Sequence, residues 1–128
     1  MSYYFSKTIH DSYENALERV IDSLKKEGFG VLTEIDVKET LKKKLEVDFQ
    51  KYKILGACNP PFAYKALKAE NKIGTMLPCN VIVQEISEGE VEVAAVDPVA
   101  SMRAIDNQDL LEIAKQVQEK LKKVVSDV

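Results

Sequence analysis

The stretch CNVIVQEISEGEVEVAAV, residues 79–96, decides the fold. Two valine-rich runs, CNVIVQEI and VEVAAV, flank the turn SEGE. Alternating apolar positions on both sides of a short glycine-containing turn are the signature of a β-hairpin. Cys79, Val81 and Val83 share one face of the first strand, and Val91, Val93 and Ala95 are placed to pair alongside them. A hairpin next to long amphipathic helices predicts a mostly antiparallel sheet with helices packed on one face.

Working outward, residues 2–9 predict a strand with Tyr3, Phe5 and Ile9 on one side and Tyr4, Ser6 and Thr8 on the other; Lys7 interrupts the apolar side. Asp11 followed by Glu14 has the spacing of a reciprocal helix cap. The helix it opens carries Tyr13, Ala16, Leu17, Val20, Ile21 and Leu24 at helical spacing, and Gly28 is suited to end it in a left-handed turn. FGVLTEID predicts a second strand, and Asp36 with Glu39 repeats the capping pattern before a short helix striped by Val37, Leu41 and Leu45. YKILGAC predicts a third strand, with Tyr52, Ile54, Gly56 and Cys58 on one face, and Phe62, Ala63, Ala66 and Leu67 mark the buried side of the next helix. Beyond the hairpin, DPVASMRAID is an irregular link, and a helix from about Asn107 presents Leu110, Leu111, Ile113, Ala114, Val117, Leu121 and Val124 as a wide stripe. The order β-α-β-(α)-β-α-β-β-α describes an α+β two-layer sandwich. Its second sheet face needs a cover, and another copy of the chain is one candidate.

A chain of 128 residues, 45% hydrophobic and 30% charged, is expected to form a single domain, residues 1–128, with a full core. The formal charge of −3 argues against a nucleic-acid partner, which needs a basic surface. No apolar run has the length of a membrane span, and the N-terminus lacks the layout of a secretory signal, so a cytoplasmic protein with reduced thiols is expected. One histidine, His10, supports neither a His-rich metal site nor a His-based triad. Paired-acid motifs and phosphate-binding loops are likewise absent from the sequence.

The chemistry-bearing residues gather around Cys58-Asn59-Pro60-Pro61 and Leu77-Pro78-Cys79. A residue before proline is pushed toward the extended geometry an N-cap adopts, so Asn59 is expected to cap the helix that follows. Proline at the first helical turn sacrifices no hydrogen bond. Cys58 would then end a strand beside a helix N-terminus, where exposed amides and the dipole stabilise a thiolate. Cys79 opens the next strand after a proline, at a sheet margin. Two readings stand at this point. Either the pair are small buried hydrophobes, or they form a thiol site: a soft-metal pair, a redox couple, or a nucleophile at Cys58 with Cys79 resolving. Their spacing is no CxxC motif. His10 is a surface or capping residue unless the fold carries it to Cys58, where it would be a third ligand or a base.

The runs ILGACNPPFAYKAL, IGTMLPCNVIVQEI and VAAVDPVASM resemble the bacterial and archaeal family called domain of unknown function 302, over nearly the whole chain. The resemblance implies an α+β fold similar to the TATA-binding-protein-like class and a homodimer. It brings no assigned activity and no catalytic residue, and likeness to that fold class says nothing about DNA. The reading reached from sequence is a small protein binding a small ligand or a metal, zinc among the possibilities, at Cys58, Asn59 and Cys79 with His10 as a further candidate. The alternative is a non-catalytic homodimeric interaction module with structural cysteines.

Overall fold

The computed structural model describes residues 2–128. Five strands, β1 (Tyr4–Ile9), β2 (Gly30–Asp36), β3 (Tyr52–Cys58), β4 (Cys79–Ser87) and β5 (Glu90–Val96), form one sheet in the order β1-β5-β4-β3-β2. Every neighbouring pair is antiparallel. The hairpin registers as expected, with Val81 opposite Ala95 and Val83 opposite Val93. Helices α1 (Tyr13–Lys26), α2 (Val37–Leu45), α3 (Pro60–Ala69), α4 (Pro98–Ser101) and α5 (Gln108–Asp127) complete the chain, with a single 3-10 turn at Ile73–Met76.

One face of the sheet holds the main core. Leu55, Val81, Val83, Val91, Val93 and Ala95 are fully shut from water, as are Ala16, Val20 and Leu24 of α1 and Leu121 and Val124 of α5 that cover them. Burying each such side chain is worth about 1.5–3 kcal/mol, so this layer dominates stability. Lys7, the interruption in β1, stands opposite Val93 on this same face. Its stem runs along the core and its ammonium donates to the main-chain oxygens of Ser126 and Val128, each at 2.9 Å. A cation at a helix C-terminus is favourable there, which explains a lysine in an apolar row.

Three local expectations change. The α1 cap is Ser12, whose hydroxyl accepts from the Asn15 amide, and not Asp11. Asp11 is committed elsewhere: its carboxylate accepts from the Ser12 amide and the Asn15 side chain, and pairs with Arg19 at 3.1 Å. The link after β5 contains the short helix α4, capped by Asp97. Helix α2 is capped by Asp36 as expected, but it buries none of its residues, and Leu45 at its end is exposed.

Gly28 ends α1 at φ +86°, with the Gly28 amide on Lys25 and the Phe29 amide on Leu24, the paired bonds of a Schellman turn. Gly56 is needed for space. A Cβ there would overlap Thr33 Oγ1 and come within 2.7 Å of Pro78 Cγ. We therefore expect Gly56→Ala to lower stability by about 1–3 kcal/mol, the usual range for overpacking. Urea unfolding measures it, and Thr33→Ala in the same chain should recover only part, because the proline ring remains.

Candidate functional site

Where β3 ends and β4 begins, the sheet corner faces α3, α4 and α5 across a cavity of about 300 Å³. Its walls are apolar: Phe29 and Ala57 on the sheet side, Phe62 and Ala66 on α3, Met102 after α4, Ala114 and Val117 on α5. The space lies at a seam between two buried clusters. Phe29, Ala57, Cys79 and Val117 belong to the main core, whereas Ala66, Met102, Leu110 and Ala114 belong to a smaller one. Four alanines, Ala57, Ala63, Ala66 and Ala114, are among the residues lining it. Leu32 and Leu67 also line the space yet are 68% and 42% exposed, which places them at its mouth. No charged side chain lines it.

Three of the four residues singled out in sequence border this cavity: Cys58, Asn59 and Cys79. Cys79 lies opposite Ala57, on the helix-covered face, and belongs to the main core. Cys58 follows Ala57 by one residue, so strand alternation turns its side chain to the other face, with Gly56. It is half-buried and borders the cavity from the strand end. The two thiols are near neighbours in the ladder and border the same cavity, Cys79 from the covered face and Cys58 from the strand end.

The fourth residue is elsewhere. His10 follows β1, whose last residue Ile9 pairs with Val91, itself opposite Glu85. Cys79 is six residues further along β4, roughly 20 Å at the usual rise of a strand. His10 is exposed, and Asp11 beside it bonds to Gly89 of the far hairpin turn. Among the described residues no three or more His, Cys, Asp or Glu side chains come together as metal ligands. A structural zinc site has four such donors, so one chain does not supply the set.

Asn59 occupies the N-cap position of α3 with extended backbone, yet its side chain caps nothing. Pro60 and Pro61 fill the first two helical positions and have no N–H to cap. Freed from that task, Asn59 Nδ2 donates to the Glu27 carbonyl at 3.1 Å, satisfying an end of α1 and joining two helix termini over the cavity. The same prolines weaken the expected anion site beside Cys58. The Ala63 amide is taken by the Asn59 carbonyl, which leaves few amides facing outward.

Burial, and then the neighbouring Cys58, push the Cys79 thiol up from 9.0 to about 11. That shift keeps Cys79 protonated at neutral pH, an uncharged part of the cavity wall.

The cavity walls contributed by α4 and α5 were not foreseen. Their apolar residues fall at helical spacing, which reads as core. The available signal was size: Ala63, Ala66 and Ala114 are small residues at positions where a filled interior would carry leucine.

Fold and site together define a two-layer α+β protein with an apolar cavity at one corner of its sheet. The family model described as domain of unknown function DUF302 matches residues 5–128, and the chain belongs to that family. A crystal structure of an uncharacterized conserved protein DUF302 from Bacillus stearothermophilus has the same fold: TM-score 0.90 and 28% identity, covering 99% of this chain and 98% of that one. No curated protein matches the chain. No helix among the described residues is long and apolar enough to cross a membrane.

Two outcomes follow. Because the raised Cys79 pKa favours the protonated folded state, its contribution to stability is complete below pH 9 and is lost as pH rises toward 11. The difference between wild type and Cys79→Ala in urea unfolding should be flat below pH 9 and fall by about 2–3 kcal/mol across that window. Asn59→Ala should cost about 1–2 kcal/mol, the loss of a buried amide bond to a helix-terminal carbonyl.

Proposed function

We propose that this protein binds a small, uncharged, largely apolar organic molecule in the corner cavity, and that it works as a homodimer. The single observation behind the binding reading is an open-mouthed apolar space of about 300 Å³ without a charged side chain in its walls. That volume is about ten times the ~30 Å³ share of a water molecule in the liquid, room for about ten to fifteen non-hydrogen atoms. It lies at the small end of natural ligand pockets, ~300–1,000 Å³. Cys79 serves as an uncharged wall, Asn59 holds α1 to α3 above the space, and Cys58 borders it from the strand end. The donor set favours an organic ligand over zinc, and the single exposed His10 at the far end of the sheet offers no base to the cavity.

The neutral dye aminoanthracene tests this directly. It should gain fluorescence with one site per chain and be displaced by medium-chain alcohols but not by sugars. Ala63→Phe fills the cavity from α3 and should weaken binding at least about tenfold, ~1.4 kcal/mol. Leu67→Glu at the exposed mouth does the same without touching the core. Failure of the wild type to bind neutral apolar probes, or undiminished binding by both folded variants, would overturn the reading.

A further inference from the structure

On the sheet face turned away from α1 and α5, three tyrosines and one carboxylate line a concavity of about 400 Å³. We propose that this recess is a second binding site and that it takes a small organic cation, an alkylated ammonium ion. It lies apart from the corner cavity, since no residue lines both spaces, and does not depend on the ligand proposed there.

Charge points to the ligand. Glu92 is half-buried and is the only carboxylate lining the recess. The chain holds 18 lysines and arginines, yet none lines this space. Glu92 joins no ion pair among the described residues. A carboxylate drawn partly out of water without a cation beside it is costly, and a cationic guest offsets that cost. The carboxylate is also held in place. Gln50 Nε2 donates to Gln84 Oε1 at 2.6 Å, which commits the Gln84 amide group to donate to Glu92 Oε1 at 2.8 Å. Among the described residues Glu92 Oε2 accepts no hydrogen bond, so it can face a guest.

The rings supply the walls. Tyr3 and Tyr4 meet edge to face at 73° with centroids 5.0 Å apart, and so enclose a corner. Tyr52 is the third wall. It lies opposite Gln84, which lies opposite Glu92. Two strand spacings of ~4.8 Å therefore set Tyr52 roughly 10 Å from Glu92 at the backbone. Phe49 packs on the Tyr52 ring at 6.1 Å and steadies it. Burial, then Glu92 and Tyr3, push the Tyr52 hydroxyl up, so it stays protonated at neutral pH, and both neighbours are near enough to be felt. An aromatic face attracts a cation that comes within ~6 Å of its centroid. The floor, Ile82 opposite Ala94, is apolar and suits alkyl groups. A hard metal ion would need about six oxygen ligands, which one carboxylate and neutral phenols do not provide. An alkylated ammonium ion meets the carboxylate, the rings and the floor together.

Calorimetric titration at low salt decides the matter, with choline set against its carbon isostere, in which a quaternary carbon replaces the ammonium nitrogen. Choline should bind once per chain with a Kd near ~1 mM, and the isostere at least about tenfold more weakly. Glu92→Gln removes the charge but keeps an oxygen for the Gln84 amide group. It should weaken choline about tenfold and leave the isostere unchanged. Tyr3 is 70% exposed, so Tyr3→Ala keeps the fold, and it should weaken choline about threefold. Both variants should retain the wild-type far-UV spectrum and aminoanthracene binding in the corner cavity. No choline binding at roughly tenfold higher concentration, or equal affinity for the isostere, overturns the cation site. Undiminished choline affinity in both folded variants overturns this recess as its place. The dye reports on the corner cavity alone, so the two proposals fail separately.

Discussion

One-sided burial of the sheet is the constraint from which the rest of the structure follows. Leucine, valine and alanine side chains of β3, β4 and β5 lie dry beneath α1 and α5. Side chains alternate along a strand, so fixing which face is dry fixes the direction of every other residue in the ladder. Cys79 is sent inward because Val81 and Val83 are, and Cys58 outward because Leu55 and Ala57 are inward. The same parity gathers Tyr4, Tyr52, Ile54, Ile82 and Val96 on a face that no helix of the chain covers. Lys7 shows how strong the constraint is. A cation on the dry face is retained by reaching past the core to the end of α5.

The corner cavity arises where that burial is incomplete. Helix α3 does not lie over the centre of the sheet; it packs on α5 and the turn after α3, in a second, smaller apolar cluster. Ala57, Ala63, Ala66 and Ala114 are among the residues that line the space at this seam, and unfilled volume there forfeits dispersion contacts. The walls are held apart by specific restraints. Asn59 bonds to the end of α1, Gly28 at φ +86° lets that side chain approach, and Asn107 at the start of α5 reaches the Ala69 carbonyl at 2.8 Å. Polar ties at the helix ends thus keep open a space that side-chain size left unfilled.

Much of this was legible in the sequence. Period-two and helical spacing located every strand and the long helices, and the SEGE turn gave the antiparallel direction. A cap was legible where one side chain had one task, as at Asp36. Caps were misread where a neighbour competed. Asp11 is drawn to Arg19 while Ser12 caps, and Asn59 is released by two prolines that need no cap. The placement of His10 at the far end of the sheet and of both cysteines at one cavity depends on strand order and register, which no local pattern encodes. A cavity is harder still, because it consists of atoms that are not there; only the small size of Ala63, Ala66 and Ala114 hints at it.

The cysteine pair shows how such information changes a chemical reading. Adjacent in the ladder and flanked by prolines, the two thiols invite a redox or metal interpretation, which requires both sulfurs on one side and at least one ionised. Both cysteines border one cavity, and burial raises the Cys79 thiol, which keeps it protonated at neutral pH. Pro60 and Pro61 at the first two positions of α3 leave few free amides there. What remains useful at Cys79 is its size and polarizability: a sulfur wall that contacts apolar matter well and needs no hydrogen bond. On the proposed reading the corner accepts an uncharged molecule, and Pro78 forms part of the wall beside Cys79.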